Sequence, residues 1–303
     1  MPRPTFRSGA VRVRVPATSA NLGPGFDAFG LALGLYDDVV VTVTGQGLRI
    51  KVVGEGAGDV CYDERHLVAS SMRAAFAVLG GQPPGLQIAC TNRIPQARGL
   101  GSSAAAIVAG ILAARALVPG GGDLMDDQAV LTLAARLEGH PDNVAACLHG
   151  GLTIAWGGEL AATGDGSTRV LCLQPAAVSP VVFLPADQAS TSHARAALPA
   201  TVPHADAAAN ACRAALLIPA LTGRPDLLFE ATADRIHQSA RAPAMPATAD
   251  LVQRLRDDRI PAAVSGAGPA VLAFSQPDLA SYAAAGWQVL RLAVAGGATV
   301  VGS

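Results

Sequence analysis

Residues 95 to 106, PQARGLGSSAAA, have the composition of a loop that could bind phosphate groups. Gly99 and Gly101 allow a tight turn and a close approach of the backbone to a ligand. Ser102 and Ser103 follow at the start of an alanine-rich run that predicts a helix, whose first turn exposes unpaired N–H groups. Those amides and the positive end of the helix dipole together favour an anion. The same residues also suit a plain strand-to-helix turn with a serine cap, so the loop alone leaves both interpretations open.

This loop lacks the lysine that a Walker-type phosphate loop needs between its last glycine and its Ser or Thr. Lys51 is the only lysine in the chain. If the loop holds a nucleoside triphosphate, the negative charge must therefore be met by backbone amides, arginines and a metal ion.

The composition indicates a folded globular protein, because 50% of the 303 residues are hydrophobic and 15% are charged. The formal net charge is −1 and no basic block occurs, so we expect no nucleic-acid partner and no membrane partner. No segment offers a signal peptide or about 20 uninterrupted apolar residues. The cysteines are odd in number and lack CxxC spacing, which is typical of reduced thiols. We therefore expect a cytoplasmic protein.

Segments typical of strands and helices mix in both halves of the chain, without internal repeats. Helices are predicted over 67–79, 103–117 and 127–137. Residues 36–44 and 48–53 are typical of a strand pair joined by a Gly-Gln-Gly turn. Because the order is not a regular βαβ repeat, the sequence predicts an α+β fold rather than a doubly wound α/β fold.

Glycine, proline and polar residues fill positions 16–30, which are predicted to be a loop. Toward the C-terminus, helices are predicted over 227–236 and 279–285. The glycine-rich stretch 157–168 is weakly patterned, which makes it the expected domain boundary.

Three separated segments occur in a fixed order: PATSANLGPGFD at 16–27, GLGSSAA at 99–105 and SGAGP at 265–269. Together they resemble the motifs of the GHMP kinase superfamily of small-molecule kinases. The first segment, with EGHPDN at 138–143, resembles specifically the homoserine kinase branch of that superfamily. The resemblance extends over nearly the whole chain, from about residue 11 to residue 274.

The resemblance implies a two-domain GHMP kinase fold with ATP and the substrate bound in the cleft between the domains. The N-terminal domain, placed at 8–160, would be like domain 2 of ribosomal protein S5, and the C-terminal domain, placed at 161–303, would be ferredoxin-like. The implied reaction moves the γ-phosphoryl group of ATP to the hydroxyl of L-homoserine, giving O-phospho-L-homoserine for threonine biosynthesis. A homodimer is compatible with the resemblance.

For the nucleotide, the resemblance implies that amides of the glycine loop hold the phosphates. Mg²⁺ would lie between a loop serine, Ser102 or Ser103, and Glu138, because a carboxylate, a hydroxyl and phosphate oxygens suit this ion. Ser103 and Glu138 are taken as the metal ligands. The expected ATP-binding residues are Pro95, Arg98, Gly99, Leu100, Gly101, Ser102, Ser103, Ala104, Ala105, His66 and Val68. At the adenine segment the usual Asn-Leu-Val is His66-Leu-Val68 here, and a histidine can still hydrogen-bond or stack.

Homoserine carries an ammonium, a carboxylate and a hydroxyl, so its site needs one carboxylate and one or two arginines. The resemblance places Asp27 at the ammonium group and Asn21 as an amide that contacts the substrate. Arg195 and Arg241 are the implied carboxylate clamp, for which the planar guanidinium is suited. The expected substrate-binding residues are Asn21, Asp27, His140, Asn143, Thr191, Arg195, Arg241 and Gly266.

The fate of the hydroxyl proton has two alternatives. Asp142 and Asn143 both lie where related kinases have a catalytic aspartate. If Asp142 occupies that position, it is a general base. If Asn143 does, the proton passes to a phosphate oxygen, and catalysis comes from proximity and metal electrostatics. We favour the version without a base, and take Asn143, Asp142 and Glu138 as the catalytic residues.

Two other functions fit part of this pattern. A GHMP kinase for another small alcohol would share the glycine loop, but a mevalonate-type substrate offers no ammonium group to Asp27 and Asn21. A non-catalytic ATP-binding regulator on the same fold would have no need of a metal site at Ser102, Ser103 and Glu138.

Overall fold

Alternation of valine and arginine at the start of the chain produces a strand with one buried and one exposed face. Val11, Val13 and Val15 are buried, whereas Arg12 and Arg14 are exposed. The computed structural model describes residues 5–157, 166–187 and 195–302, and this strand begins the larger of two sheets within them.

The described strands are β1 (Val11–Ala20), β2 (Phe29–Thr44), β3 (Gly47–Gly54), β4 (Gly85–Asn92), β5 (Leu152–Trp156), β6 (Arg169–Leu173), β7 (Pro180–Leu184), β8 (Ala262–Val264), β9 (Val271–Phe274), β10 (Gln288–Arg291) and β11 (Thr299–Gly302). The described helices are α1 (Leu67–Val78), α2 (Ser102–Leu117), α3 (Gly121–Leu124), α4 (Asp127–Glu138), α5 (Asp142–His149), α6 (His204–Thr222), α7 (Leu228–Ala231), α8 (Gln238–Arg241) and α9 (Pro246–Asp257). This mixture confirms the predicted α+β class.

The larger sheet has the order β11-β1-β2-β4-β3, and β5 pairs with β2 and with β6. The smaller sheet has the order β10-β7-β9-β8. Strands β6 and β11 belong to the larger sheet although both lie beyond residue 160. The division of the chain into domains at 8–160 and 161–303 stays a prediction.

The predicted pairing of 36–44 with 48–53 is wrong. Strand β4 lies between β2 and β3, and β3 runs parallel to β4. Helix α1 makes the crossover that a parallel pair requires, so the local turn does not determine which strands pair.

The loop predicted over 16–30 is shorter in the structure. Strand β1 continues to Ala20, and its pairing with β2 shifts register between Pro16 and Ala17. Strand β2 already begins at Phe29. The polar residues here are accommodated because they bond to other parts of the chain: Thr18 Oγ1 donates to Asn143 Oδ1 at 2.7 Å.

Two helix predictions near the C-terminus are largely wrong. In place of a helix over 227–236 there is a 3₁₀ turn at 225–227 and the one-turn helix α7. Asp234 then accepts from the amides of Ile236, His237 and Gln238, which ends the periodic run and begins α8. The 279–285 segment keeps only a 3₁₀ turn at 280–282.

Helix α2 is the central helix of the core. Its residues from Ala104 to Ala114 are buried almost without interruption, against α1 on one side and the larger sheet on the other. The start of α2 is therefore held rigidly, and the glycine loop is fixed with it. No helix in the described ranges is long and apolar enough to cross a membrane.

Candidate active site

A cavity of about 500 Å³ opens beside the glycine loop. Its wall combines this loop, the β1–β2 loop, the α4–α5 turn and the segment around Gly266. Among the predicted site residues, those that line it are Asn21, Asp27, His66, Val68, Gly99, Gly101, Ser102, Ser103, Ala105, Glu138, His140, Asp142, Asn143, Arg195, Arg241 and Gly266. The sequence motifs, although far apart in the chain, therefore meet at one cavity.

Five predicted residues are not in that wall as described. Pro95, Leu100 and Ala104 are buried beside the loop, where they support it. Arg98 is half-buried, and its carbonyl accepts a hydrogen bond from the amide of Ala270. Thr191 lies outside the described residues.

The glycine loop has the backbone that the sequence predicts. Gly99 has φ +82° and Gly101 has φ +68°, and a Cβ at Gly101 would lie 2.0 Å from Thr18 Oγ1. Gly101 occupies the cap position of α2, and no side chain caps the helix there. The serine-capped turn considered above is therefore not the arrangement that forms. The first-turn amides of α2 therefore have no side-chain acceptor, and the N-terminus of this helix at the cavity is suited to bind an anion.

Ser103 and Glu138 form one pair at the N-terminus of α2. Ser103 Oγ donates to Glu138 Oε1 at 2.5 Å, and Glu138 ends helix α4. Burial raises the pKa of Glu138, an effect that the hydrogen bond from Ser103 partly offsets. A hydroxyl and a carboxylate oxygen at this distance could coordinate one hard cation together with phosphate oxygens.

The turn between α4 and α5 organises three polar side chains. His140 Nδ1 lies 2.7 Å from Asp142 Oδ1, which also accepts from the Asn143 amide at 2.7 Å. Burial works against the charged imidazole, but the hydrogen bond and the charge of Asp142 raise the pKa of His140. The side chain of Asn143 is oriented by Thr18, a residue that sequence reasoning missed because its partner is 125 positions away.

Asn21 joins two parts of the substrate side of the cavity. Its Nδ2 donates to Gly266 O at 2.8 Å, and its Oδ1 accepts from the Asp27 amide at 3.0 Å. Asn21 and Asp27 both have positive φ, a backbone conformation that residues other than glycine rarely adopt. Asn21 therefore fixes the position of Asp27, and a direct contact of its amide with substrate stays a prediction.

The charged residues predicted to bind an amino acid lie together. Arg195 Nη1 and Nη2 donate to the two carboxylate oxygens of Asp27, at 3.0 and 2.8 Å. Arg241 is buried, and its Nη1 lies 3.1 Å from His237 Nδ1. Both guanidinium groups face the ring of Phe26, at 6.0 Å and 5.5 Å from its centroid. Phe26 was missed as a site residue, although it stands next to Asp27 in the first motif.

Known proteins are similar to this chain over nearly its entire length. The family model described as GHMP kinases N terminal domain matches residues 66–151. The homoserine kinase of Streptomyces avermitilis is 58% identical, with 99% of both chains covered. The homoserine kinase of Clavibacter michiganensis is 52% identical, covering 86% of this chain and 81% of that relative. A crystal structure of homoserine kinase from Cytophaga hutchinsonii is 26% identical and superposes with a TM-score of 0.82, covering 98% of this chain and 99% of its own.

Fold and site thus define a small-molecule kinase of the GHMP type. The identity to full-length relatives is high enough to name the branch, and the chain belongs to the homoserine kinase family.

Proposed function

We propose that this chain transfers the γ-phosphoryl group of ATP to the side-chain hydroxyl of L-homoserine, forming O-phospho-L-homoserine for threonine biosynthesis. The observation that carries the proposal is the meeting, in one cavity, of an uncapped helix N-terminus with the Asp27, Arg195 and Arg241 charges. The first part suits a nucleotide phosphate, and the second suits a zwitterionic amino acid.

The nucleotide phosphates lie against the amides at the start of α2. Their charge is not met by a loop lysine, so the helix N-terminus and a divalent cation take that role. Ser103 Oγ and the Glu138 carboxylate would hold Mg²⁺, because both are hard oxygen donors. Mg²⁺, when bound there, neutralises charge that develops on the transferred phosphoryl group.

The substrate zwitterion replaces an internal ion pair. The side chains of Asp27 and Arg195 are 34% and 48% exposed, and an ion pair of this kind contributes only about 0–1 kcal/mol. Opening the pair is therefore easy. The ammonium group then pairs with Asp27, and the carboxylate pairs with Arg195 and Arg241. An alcohol with only one of these charges would leave a charged partner uncompensated.

The hydroxyl of the substrate faces the α4–α5 turn. Asp142 is buried, and its Oδ1 is already shared between His140 and the Asn143 amide. Engagement of this oxygen favours the version in which Asn143 orients the hydroxyl and the proton passes to a phosphate oxygen. Catalysis then comes from alignment of the hydroxyl with the γ-phosphoryl group and from electrostatic stabilisation. A cytoplasmic location and a homodimeric state of the protein stay predictions.

A coupled ADP-release assay with MgATP tests the proposal. L-Homoserine should turn over strongly, and L-threonine, L-serine, mevalonate and galactose weakly or not at all. Glu138→Ala should abolish the activity, and Asp27→Ala should weaken it mainly through KM for homoserine. Turnover on a different alcohol would contradict the substrate assignment. Binding of ATP without turnover on any alcohol would favour a non-catalytic regulator.

A further inference from the structure

One part of the cavity wall is an apolar slot on the face of the larger sheet. Val39 lies opposite Cys90 in the β2–β4 pairing, and Val15 lies opposite Asp37 in the β1–β2 pairing. Side chains two residues apart on a strand share a face, so Asp37 and Val39 point to the same side. The apolar residues of the slot are Val15, Val39, Val68, Cys90, Ala105 and Ala106. A flat, uncharged ring would suit such a surface.

Asp37 is the carboxylate in this slot, and no motif drew attention to it. It is only 7% exposed and lines the cavity. Its Oδ1 accepts from the backbone amides of Arg93 at 2.6 Å and Ile94 at 2.9 Å, just before the glycine loop. Its Oδ2 accepts no hydrogen bond from any residue in the described ranges. Because this oxygen keeps some solvent exposure at the cavity wall, a donor on a ligand can reach it and complete its hydrogen bonding.

His66 lines the same cavity and precedes helix α1. It is 6% exposed, and its Nδ1 is buried without a partner among the described residues. Burial lowers the pKa of His66, so the imidazole is neutral near pH 7. The slot therefore offers one fixed anionic acceptor and one neutral imidazole. A purine with an exocyclic amino group beside a ring nitrogen complements both.

We propose that Asp37 selects the nucleobase, its Oδ2 accepting the 6-amino group of adenine and repelling the oxygen of a 6-oxo purine. This inference rests on the proposed function in one respect, because the nucleotide must lie along the cavity from the glycine loop. The two amide bonds to Oδ1 hold the carboxylate in one orientation, which makes the discrimination strong. A 6-oxo purine would bring two acceptors together, a mismatch that costs more than a missing contact.

Binding of ATP, ITP and purine riboside triphosphate, measured by calorimetry with Mg²⁺ and without homoserine, tests the inference. These nucleotides differ at position 6, which carries an amino group, an oxygen or only hydrogen. Since a hydrogen bond to a charged group contributes about 1.5–3 kcal/mol, ATP should bind roughly 10- to 100-fold more tightly than either analogue.

Asp37→Asn replaces the acceptor by an amide that can also donate. The ATP-to-ITP affinity ratio should fall at least about tenfold, while KM for homoserine stays unchanged. Asp38→Asn is the matched control, because Asp38 is the neighbouring carboxylate and pairs with Arg14 and Arg93 instead. Its nucleotide ratio should equal that of the unchanged protein. A ratio that Asp37→Asn does not alter would overturn the proposal.

A second test needs no variant, in case Asp37→Asn does not fold. Burial raises the pKa of Asp37 to about 6, against the lowering effect of its bonds to Arg93 and Ile94. Protonation removes the anionic acceptor, so the preference for ATP over purine riboside triphosphate should decline as the pH falls from 8 to 5. The charged groups that influence Asp37 are Asp38 and the Arg93 side chain. Asp37 also faces the thiols of Cys90 and Cys147, whose pKa values are raised by burial and by the Asp37 charge, so they stay neutral in this pH range. They act on both nucleotides alike, and phosphate titration cancels in the ratio.

The two proposals fail in different ways. Equal use of ATP and ITP with normal turnover of homoserine would overturn the role of Asp37 alone. Discrimination at position 6 without turnover of homoserine would support Asp37 and contradict the proposed substrate.

Discussion

At the scale of single residues, function and stability make opposite demands on the cavity. Glu138 is a half-buried carboxylate whose pKa is raised by desolvation. Such a group destabilises the folded protein at neutral pH, because the unfolded chain ionises it more easily. Burial of this kind is typical of positions that act on a ligand.

Glu138→Gln separates those two effects. The amide oxygen can still accept from Ser103, but the charge for the metal is lost, and we expect kcat/KM to fall by about 100-fold or more. A raised pKa means that the free energy of unfolding declines as the pH rises from the ordinary pKa of a glutamate through the raised pKa in the folded protein. Removing the ionisable group should therefore raise Tm at pH 7. Activity and thermal unfolding measured on one preparation check both parts. An active variant would contradict the metal assignment.

Asp142→Asn distinguishes the two routes for the hydroxyl proton. In the version without a base we expect kcat to fall less than about tenfold, because Asn143 and its bond from Thr18 are kept. General base catalysis is worth about 10²–10⁴ in rate, so a loss in that range would show that Asp142 takes the proton. The variant should also lower the pKa of His140, which Asp142 raises, and an NMR titration of the imidazole would verify that the interaction was removed.

Asp27→Asn tests the exchange of the ion pair. We expect KM for homoserine to rise about 10- to 100-fold, and the preference for homoserine over 4-hydroxybutanoate to shrink, because the variant no longer needs an ammonium partner. Asp226→Asn is the control, since Asp226 forms an exposed pair with Arg224 at a similar distance. Unchanged selectivity in Asp27→Asn would contradict the proposed role.

At the scale of elements, local sequence patterns predict the helices around the site and fail at the pairing of strands. The helix from 103 to 117 is found over Ser102–Leu117, and the glycine loop before it has the expected backbone. The predicted hairpin of 36–44 with 48–53 does not form, because β4 pairs with both strands although it follows them in the chain and is separated from β3 by helix α1. No local sequence pattern predicts strand β11, because it pairs with β1, which lies at the opposite end of the chain.

The glycine loop gives the sharpest test at this scale. Gly101→Ala places a Cβ 2.0 Å from Thr18 Oγ1 at a positive φ, so we expect a lower Tm and a KM for ATP raised at least about tenfold. Gly122→Ala is the control, because a Cβ there meets no atom within 4 Å. Differential scanning fluorimetry and initial-rate kinetics measure the two effects. Normal ATP affinity in folded Gly101→Ala protein would contradict a role of this turn in phosphate binding.

At the scale of the whole molecule, the motifs predicted which regions form the site, but not the contacts between them. Arg195 and Asp27 were each assigned to the substrate, yet their bond to one another joins residues 168 positions apart. Thr18 and Asp37 belong to strands whose residues look ordinary in the sequence. The folded sheet brings Asp37 to the cavity wall and Thr18 into a hydrogen bond with Asn143. Such contacts depend on tertiary packing, which periodicity and motif spacing do not describe.

The central claim is that both halves of the cavity serve one reaction on one amino acid. The most direct measurement is ³¹P NMR of the products formed from MgATP and L-homoserine at stoichiometric enzyme. We expect one phosphomonoester on the side-chain hydroxyl for each ADP released, and no free phosphate. ADP with free phosphate, or no reaction while ATP is bound, would contradict the claim.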